Sequence, residues 1–424
     1  MSLPSCRPFL KNITTKALTT AAPAWRPTIV LDEWVQKEAR PISLKQLTFF
    51  ARNLNLDKLL TSAEYLRKEI PTRLAHRLRD LQSLPYAVVS NRHISHVYEL
   101  YYSAFEDFRK VQPIKTVAQN DVYCELVRSK LNDHLTIIPS LAMGVLECRD
   151  MMPAEIIDEF VYTLLRSRIS RRVIAEHHLA LTQSFGNPSS QQQSEDEFIG
   201  QVFLKCNAER VLKTCGFLAQ SLAKKSYPNA VVPEIQLEGH LNATFPYILS
   251  HLEYVIGELL RNSVAAVMDS AEQQGKPPSP IKVLVCEAPQ HVIFRFSDQG
   301  GGIPRDIMPY LWSFSKGPRP EARLQNLQKV PRLAATMLEV ASKSDVTAEH
   351  LIPQTGQGLG SLAQRSPDSK LGIGLPMSRI YAEYWAGALN VHGLEGYGTD
   401  QFLHISKLGN KNEQLSTRAS MDQL

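Results

Sequence analysis

The 424-residue chain has no run of 18 apolar residues, which excludes a helical membrane span. Its six cysteines (Cys6, Cys124, Cys148, Cys206, Cys215 and Cys286) include no Cys-x-x-Cys pair. That scatter speaks against a zinc site or a disulfide framework and for buried free thiols in a reducing compartment. Charge of one sign is scarce as well. Of the formal net charge of +5, Arg7, Lys11, Lys16 and Arg26 supply four, so the rest of the chain stands near +1. No nucleic-acid footprint remains. Acidic residues are missing before Asp32, while Ser2, Ser5, Thr14, Thr15, Thr19 and Thr20 enrich the same segment in hydroxyls. A basic, hydroxyl-rich, acid-poor segment predicts a mitochondrial transit peptide over residues 1–31.

With 43% hydrophobic residues the chain can build two cores. Residues 41–184 read as helix almost throughout, with long apolar patterns over 56–84, 94–109, 120–147 and from Pro153 onward. Pro71 is expected to kink or restart the first of these, and Pro139 to interrupt the third. Pro153 is a favourable first-turn proline. Four long helices joined by short loops predict an antiparallel four-helix bundle. The polar, breaker-rich stretch Ser184–Glu197 reads as a linker over 185–197. Beyond it, 198–408 alternates strand and helix patterns: helices near 208–224, around Glu258 and after Gly374, and strands at 281–286, 292–296, 389–392 and 401–405. Helices gathered on one face of a mixed sheet predict an α/β sandwich, so the fold class is α+β. The Pro/Ser/Gln-rich stretch 314–370 is a long loop, and residues 409–424 form a tail.

Chemistry concentrates in four stretches. Ile256, Leu259, Leu260, Val264 and Val267 recur at helical spacing, which gives the helix around them one buried face. Glu258 and Asn262, four apart, share a side of that helix. An amide oxygen there can ligate Mg2+, and a carboxylate one turn away can orient a hydroxyl toward a phosphate. Next come Asp298-Gln299-Gly300-Gly301-Gly302, then Gly372-Ile373-Gly374-Leu375-Pro376, then Gly396-Tyr397-Gly398-Thr399. Taken singly, these are a polar helix stripe, a tight turn, a loop entering a helix and a hairpin. Their order within one domain points further.

Together they resemble the N, G1, G2 and G3 boxes of the GHKL ATPase superfamily, whose ATP-binding domain is a Bergerat-type sandwich. The resemblance implies that Asp298, with Thr399 nearby, accepts the adenine amino group. It implies that Gly300 and Gly302 let backbone approach the nucleotide, and that Gly372, Ile373, Gly374 and Leu375 receive phosphate at a helix N-terminus. Arg261 and Asn262 complete the ATP set, with Asn262 on Mg2+. The run Gly374-Leu375-Pro376-Met377-Ser378-Arg379-Ile380-Tyr381-Ala382-Glu383-Tyr384-Trp385 resembles, more narrowly, the mitochondrial kinases of the 2-oxo acid dehydrogenase complexes. Pro71-Thr72-Arg73-Leu74-Ala75, Leu131-Asn132-Asp133-His134 and Arg166-Ser167-Arg168-Ile169-Ser170 carry the same resemblance into the helical half. It implies a serine kinase of the mitochondrial matrix, acting on the E1α subunit with Glu258 as the catalytic carboxylate. It further implies ATP and Mg2+ as cofactors, an E2 lipoyl domain as docking partner, a homo- or hetero-dimer, and an ATP lid over 314–370. The resemblance also implies that His134 belongs to a structural hydrogen-bond network; no His-Glu/Asp-x-x-x-Pro box of a catalytic histidine is present, and His177 and His178 read as packed.

This chain departs from that family in places. Lys370 stands where a glycine is usual, where it can offer a cation to phosphate; Arg261 replaces a lysine, and its fork can alter contacts. Tyr254 occupies a position where pyruvate dehydrogenase kinases carry histidine, as in the branched-chain enzyme. The final residues lack an Asp-Trp motif, which argues against regulation by crossed tails. Three functions follow: inactivation of pyruvate dehydrogenase, the same chemistry on the branched-chain complex, and a non-catalytic ATP-binding regulator.

Overall fold

The computed structural model describes residues 29–186, 198–334, 370–407, 411–413 and 415. The transit-peptide expectation, apart from residues 29–31, lies outside them, as do linker residues 187–197 and the 335–369 part of the expected lid. The structure is α+β: a helical N-terminal region followed by a domain built on a mixed sheet.

The helical region contains α1 (Ile29–Val35), α2 (Leu44–Ala51), α3 (Leu56–Ser83), α4 (Tyr86–Val89), α5 (Arg92–Arg109), α6 (Val117–Asp133), α7 (Ile137–Glu147) and α8 (Ala154–Gly186). Side-chain caps start them locally. Asn55 takes the Lys58 amide, Asn91 those of His93 and Ile94, and Thr116 that of Gln119. Pro71 neither stops nor restarts α3. Leu66, Ile70, Leu74, Ala75 and Leu78 are buried on both sides of it, against α5 and α8, and that packing carries the helix through the missing hydrogen bond. The third long pattern does break, but at the 3-10 turn His134–Thr136, so Pro139 lies within the first turn of α7, where it costs no backbone bond. Pro153 sits just ahead of α8, which runs on to Gly186, past the expected start of the linker.

In the second domain, β1 (Phe198–Ile199), β2 (Val202–Asn207) and β4 (Thr244–Tyr247) form a small antiparallel sheet. The main sheet has the order β3-β5-β6-β8-β7, from Ile235–Gly239, Ile281–Glu287, His291–Asp298, Gly398–Ser406 and Ala388–Leu394. Among the described residues only the β3–β5 pair is parallel. The helices are α9 (Ala208–Ser226), α10 (Leu249–Gln274), α11 (Pro320–Gln328) and α12 (Gly374–Tyr384). α10 packs against α9, α12 and β6, and α12 against β7 and β8. Among the described residues no helix is long and apolar enough to cross a membrane. Cys124, Cys148, Cys206 and Cys215 are buried free thiols, whereas Cys286 is exposed near the end of β5. His178 is packed, between the Ser62 hydroxyl at 3.0 Å and the Asn120 amide oxygen at 2.9 Å. His134 lies against Tyr101, 5.5 Å between ring centres.

The tail contributes to both halves. Glu413 is buried, 2.7 Å from Arg73 of α3, and accepts the Ile42 amide and the Tyr384 hydroxyl of α12.

Candidate active site

Helix α10 supplies the frame. Ile256, Leu259, Leu260, Val264 and Val267 are all buried, as their spacing predicts. Glu258 lies on the same helix and is buried too, 1% exposed, which a carboxylate tolerates only with a partner. The partner is Arg261, whose Nη2 donates to Glu258 Oε2 at 2.5 Å. Burial alone would lower the Arg261 pKa, but the Glu258 charge and hydrogen bond raise it above the usual arginine value.

The decisive neighbour of Glu258 is Gly374. A Cβ added there would overlap Glu258 Oε2 and lie 3.3 Å from its Cδ and 3.7 Å from Arg261 Nη2. The carboxylate and its arginine therefore rest on the first residue of α12. Gly372, with φ +71, needs glycine for its backbone conformation. Ile373 is buried and caps α12 without a side-chain bond, so what this loop presents is backbone. Leu375 is half-buried against the core. Asn262 is half-exposed, and among the described residues its carboxamide has no hydrogen-bond partner.

One turn farther along α10, Asp298 closes the other end. Its Oδ2 accepts from the Ser263 hydroxyl at 2.8 Å and its Oδ1 from the Gly300 amide at 3.0 Å. Gln401 in turn donates to Ser263 at 3.0 Å. Burial raises the Asp298 pKa, and the Ser263 hydroxyl with the Gly300 and Thr399 amides works against that rise. Thr399 pairs with Asp298 across β8 and β6. Glu258 and Ser263 are five residues apart, about 7–8 Å along the helix axis, so α10 separates a carboxylate–glycine end from an aspartate end.

Two glycines have reasons other than an approaching ligand. A Cβ at Gly300 would come within 2.8 Å of the Ala266 carbonyl carbon and 3.0 Å of the Val267 nitrogen, so this turn sits directly on α10. Gly302 has φ +74 and faces the Leu394 carbonyl. The aspartate turn and the β7–β8 hairpin are tied by Gly301 N to Tyr397 O at 3.2 Å and Gly396 N to Gly301 O at 2.8 Å. The Gly-Tyr-Gly-Thr stretch is thus a hairpin turn as well as a neighbour of Asp298. Lys370 pairs at the surface with Asp269 of α10, at 3.1 Å. Gly356-Gln357-Gly358-Leu359-Gly360 lies outside the described residues.

Sequence reading missed Ser263, which holds Asp298, and Gln401, which holds Ser263. Ser263 had one legible signal: it is the polar intruder on the apolar stripe of α10. Gln401 had none.

Residues 41–203 match the family described as mitochondrial branched-chain alpha-ketoacid dehydrogenase kinase. Across nearly the whole chain, identity is 33% to the mitochondrial pyruvate dehydrogenase (acetyl-transferring) kinase 2 of Saccharomyces cerevisiae, covering 92% of this chain and 86% of that protein. The mitochondrial pyruvate dehydrogenase (acetyl-transferring) kinase of Arabidopsis thaliana is 29% identical, over 90% of this chain and 94% of its own length. The Homo sapiens isozyme 1 is 29% identical, over 89% and 80%.

Proposed function

We propose that this chain, which belongs to the family of mitochondrial pyruvate dehydrogenase kinases, is an ATP-dependent serine kinase that inactivates pyruvate dehydrogenase by phosphorylating its E1α subunit. The observation that carries the reading is Glu258 held against Gly374, a carboxylate at the lip of a backbone loop that opens a helix. ATP would lie with adenine at Asp298 and Thr399 and with phosphates at Gly372, Ile373 and Gly374, where amides and the α12 N-terminus favour negative charge. Asn262 would hold Mg2+, which when bound neutralises charge on the phosphates. Its unengaged, half-exposed carboxamide suits a hard ion.

Glu258 accepts the hydroxyl proton of the substrate serine and aims the oxygen at the γ-phosphate. Its charge is shared with Arg261, so its main contribution is orientation. Asp298 selects adenine because a carboxylate can accept the amino group and would face a carbonyl in guanine. Around this centre we read the second domain, 198–408, as a GHKL-type sandwich with its lid over 314–370. The helical region, 41–184, would be a four-helix bundle that docks an E2 lipoyl domain. Residues 1–31 would direct the chain to the mitochondrial matrix, and it would assemble as a homo- or hetero-dimer.

A second substrate has a specific observation behind it. The helical half matches the branched-chain kinase family, and Tyr254, one turn before Glu258, packs on Tyr381 at 4.9 Å in place of the family's histidine. The test offers labelled ATP and Mg2+ with intact pyruvate and branched-chain complexes in separate reactions. Label on E1α of the pyruvate complex supports the proposal, and label only on the branched-chain E1α transfers it to that substrate. No label on either, with ATP still bound, makes the chain a regulator.

A further inference from the structure

Arg323, on α11, is buried at 6% exposure and has no carboxylate within ion-pairing distance among the described residues. Its guanidinium is spent on carbonyls instead. Nη2 donates to Phe314 O at 2.9 Å and Gly372 O at 3.3 Å, Nη1 to Lys316 O at 3.0 Å, and Nε to Leu371 O at 3.4 Å. The acid whose charge reaches it is Asp158 of α8, but that Oδ1 receives the Phe314 and Ser315 amides at 2.9 and 3.1 Å. A buried cation paired with dipoles alone is costly to keep. It is also the kind of group that gains from an anion arriving nearby.

The position makes that anion specific. Gly372 lies against the guanidinium so closely that a Cβ there would come within 2.7 Å of Arg323 Cζ and 2.9 Å of its Cδ. Arg323 thus backs the loop that ends at Gly374 and Glu258. Helix α11 itself is anchored elsewhere: it packs on α7, Glu321 pairs with Arg149 at 3.1 Å, and just past its end Leu333 N donates to Leu135 O at 3.1 Å.

We propose that Arg323 is a positioning residue for phosphoryl transfer: it fixes the Leu371–Gly372 backbone for nucleotide phosphate and sets uncompensated positive charge behind it. This rests on the nucleotide reading above. The chain of contacts also links α7 to the phosphate loop through one side chain, without any contact between Arg323 and the nucleotide.

The experiment uses the full-length chain with Arg323→Met and Arg323→Lys. Affinities for ATP and for ADP are measured by calorimetry, adenosine affinity by ligand-observed NMR, and kcat and KM for transfer alongside. Loss of a buried charge near phosphate is expected to weaken ATP and ADP about tenfold or more in Arg323→Met, with KM for ATP rising likewise. Adenosine affinity stays within about twofold, because Asp298 and Ser263 are untouched, and Arg323→Lys recovers part of the loss by restoring charge without the fork. Equal losses for adenosine and ATP would reduce Arg323 to a structural prop. ATP affinity unchanged in Arg323→Lys, should the Met variant not fold, or in a folded Arg323→Met, would refute the proposal. If the unaltered chain bound no ATP, the nucleotide reading would fall first and this inference with it.

Discussion

Gly374→Ala probes the carboxylate–glycine contact with little else disturbed. Gly374 opens α12 with an ordinary helical backbone, so alanine is conformationally welcome there and even favoured by helix propensity. The cost comes only from the new methyl, which overlaps Glu258 Oε2 and stands 3.3 Å from its Cδ. Glu258 is 1% exposed and paired with Arg261, so it cannot swing into solvent, and relief requires moving the carboxylate by about 1 Å within a packed interior. Overpacking of this kind costs about 1–3 kcal/mol. A displacement of that size at a group that aligns a nucleophile costs about 10²-fold in kcat. The assay is single-turnover phosphate transfer to E1α, with ATP affinity measured in parallel. The kcat loss should exceed any loss in ATP affinity. Glu258→Asp shortens the side chain, so adding Gly374→Ala to that variant should cost far less than it does in the unaltered chain, a coupling a double-mutant cycle reads directly. A Gly374→Ala protein that transfers phosphate within about threefold of the parent, or a cycle with no coupling, would refute the contact as a determinant of catalysis.

Other outcomes follow from the same structure. Asp298→Asn sets an NH2 group among the donors of Ser263, Gly300 and Thr399, and should cost about 1–3 kcal/mol in folding while narrowing the ATP-over-GTP preference, read by thermal unfolding and competition binding. Glu413→Ala leaves Glu69, at 3.3 Å, as the remaining carboxylate on Arg73 among the described residues, and should lower stability by about 3 kcal/mol in denaturant titration. The half-buried Glu253 titrates at about 7, raised by burial against the pull of Arg210. The native state then holds a proton that the unfolded chain has lost, so this group's contribution falls as pH rises from about 4.5 through 7. Glu253→Gln should therefore stabilise the protein above pH 7 by about 3 kcal/mol and do little below pH 4.5, with chemical denaturation at pH 4.5 and 8 as the check.

Much of the helix that carries Glu258 and Asn262 was legible because its signals are local. The apolar spacing of α10 identifies its buried face, and Glu258 and Asn262 fall one turn apart on it. The glycine stretches were legible as turns at the right places in the order. Their reasons were not, since Gly300 answers to Ala266, more than 30 residues earlier, and Gly374 to Glu258. The small sheet escaped because β1 has two residues and β4 four, too short for any alternation to register. Pro71 misled in the opposite direction: tertiary packing on both sides outweighed one lost backbone bond. Helix α11 hid in a stretch of loop composition, because its buried side chains are Arg323 and Leu327, and a buried arginine breaks the apolar pattern. Glu413 gave no sign in sequence of reaching back to Arg73, a separation of 340 residues that only the fold closes.

In the proposed function Glu258 serves phosphate transfer and is not merely a buried partner for Arg261. Its most direct test is Glu258→Gln, which keeps shape and the ability to accept from Arg261 but removes the charge that takes a serine proton. ATP binding is expected to stay close to that of the parent, with E1α phosphorylation reduced by about 10²-fold or more. Transfer at the parental rate in that variant would contradict it.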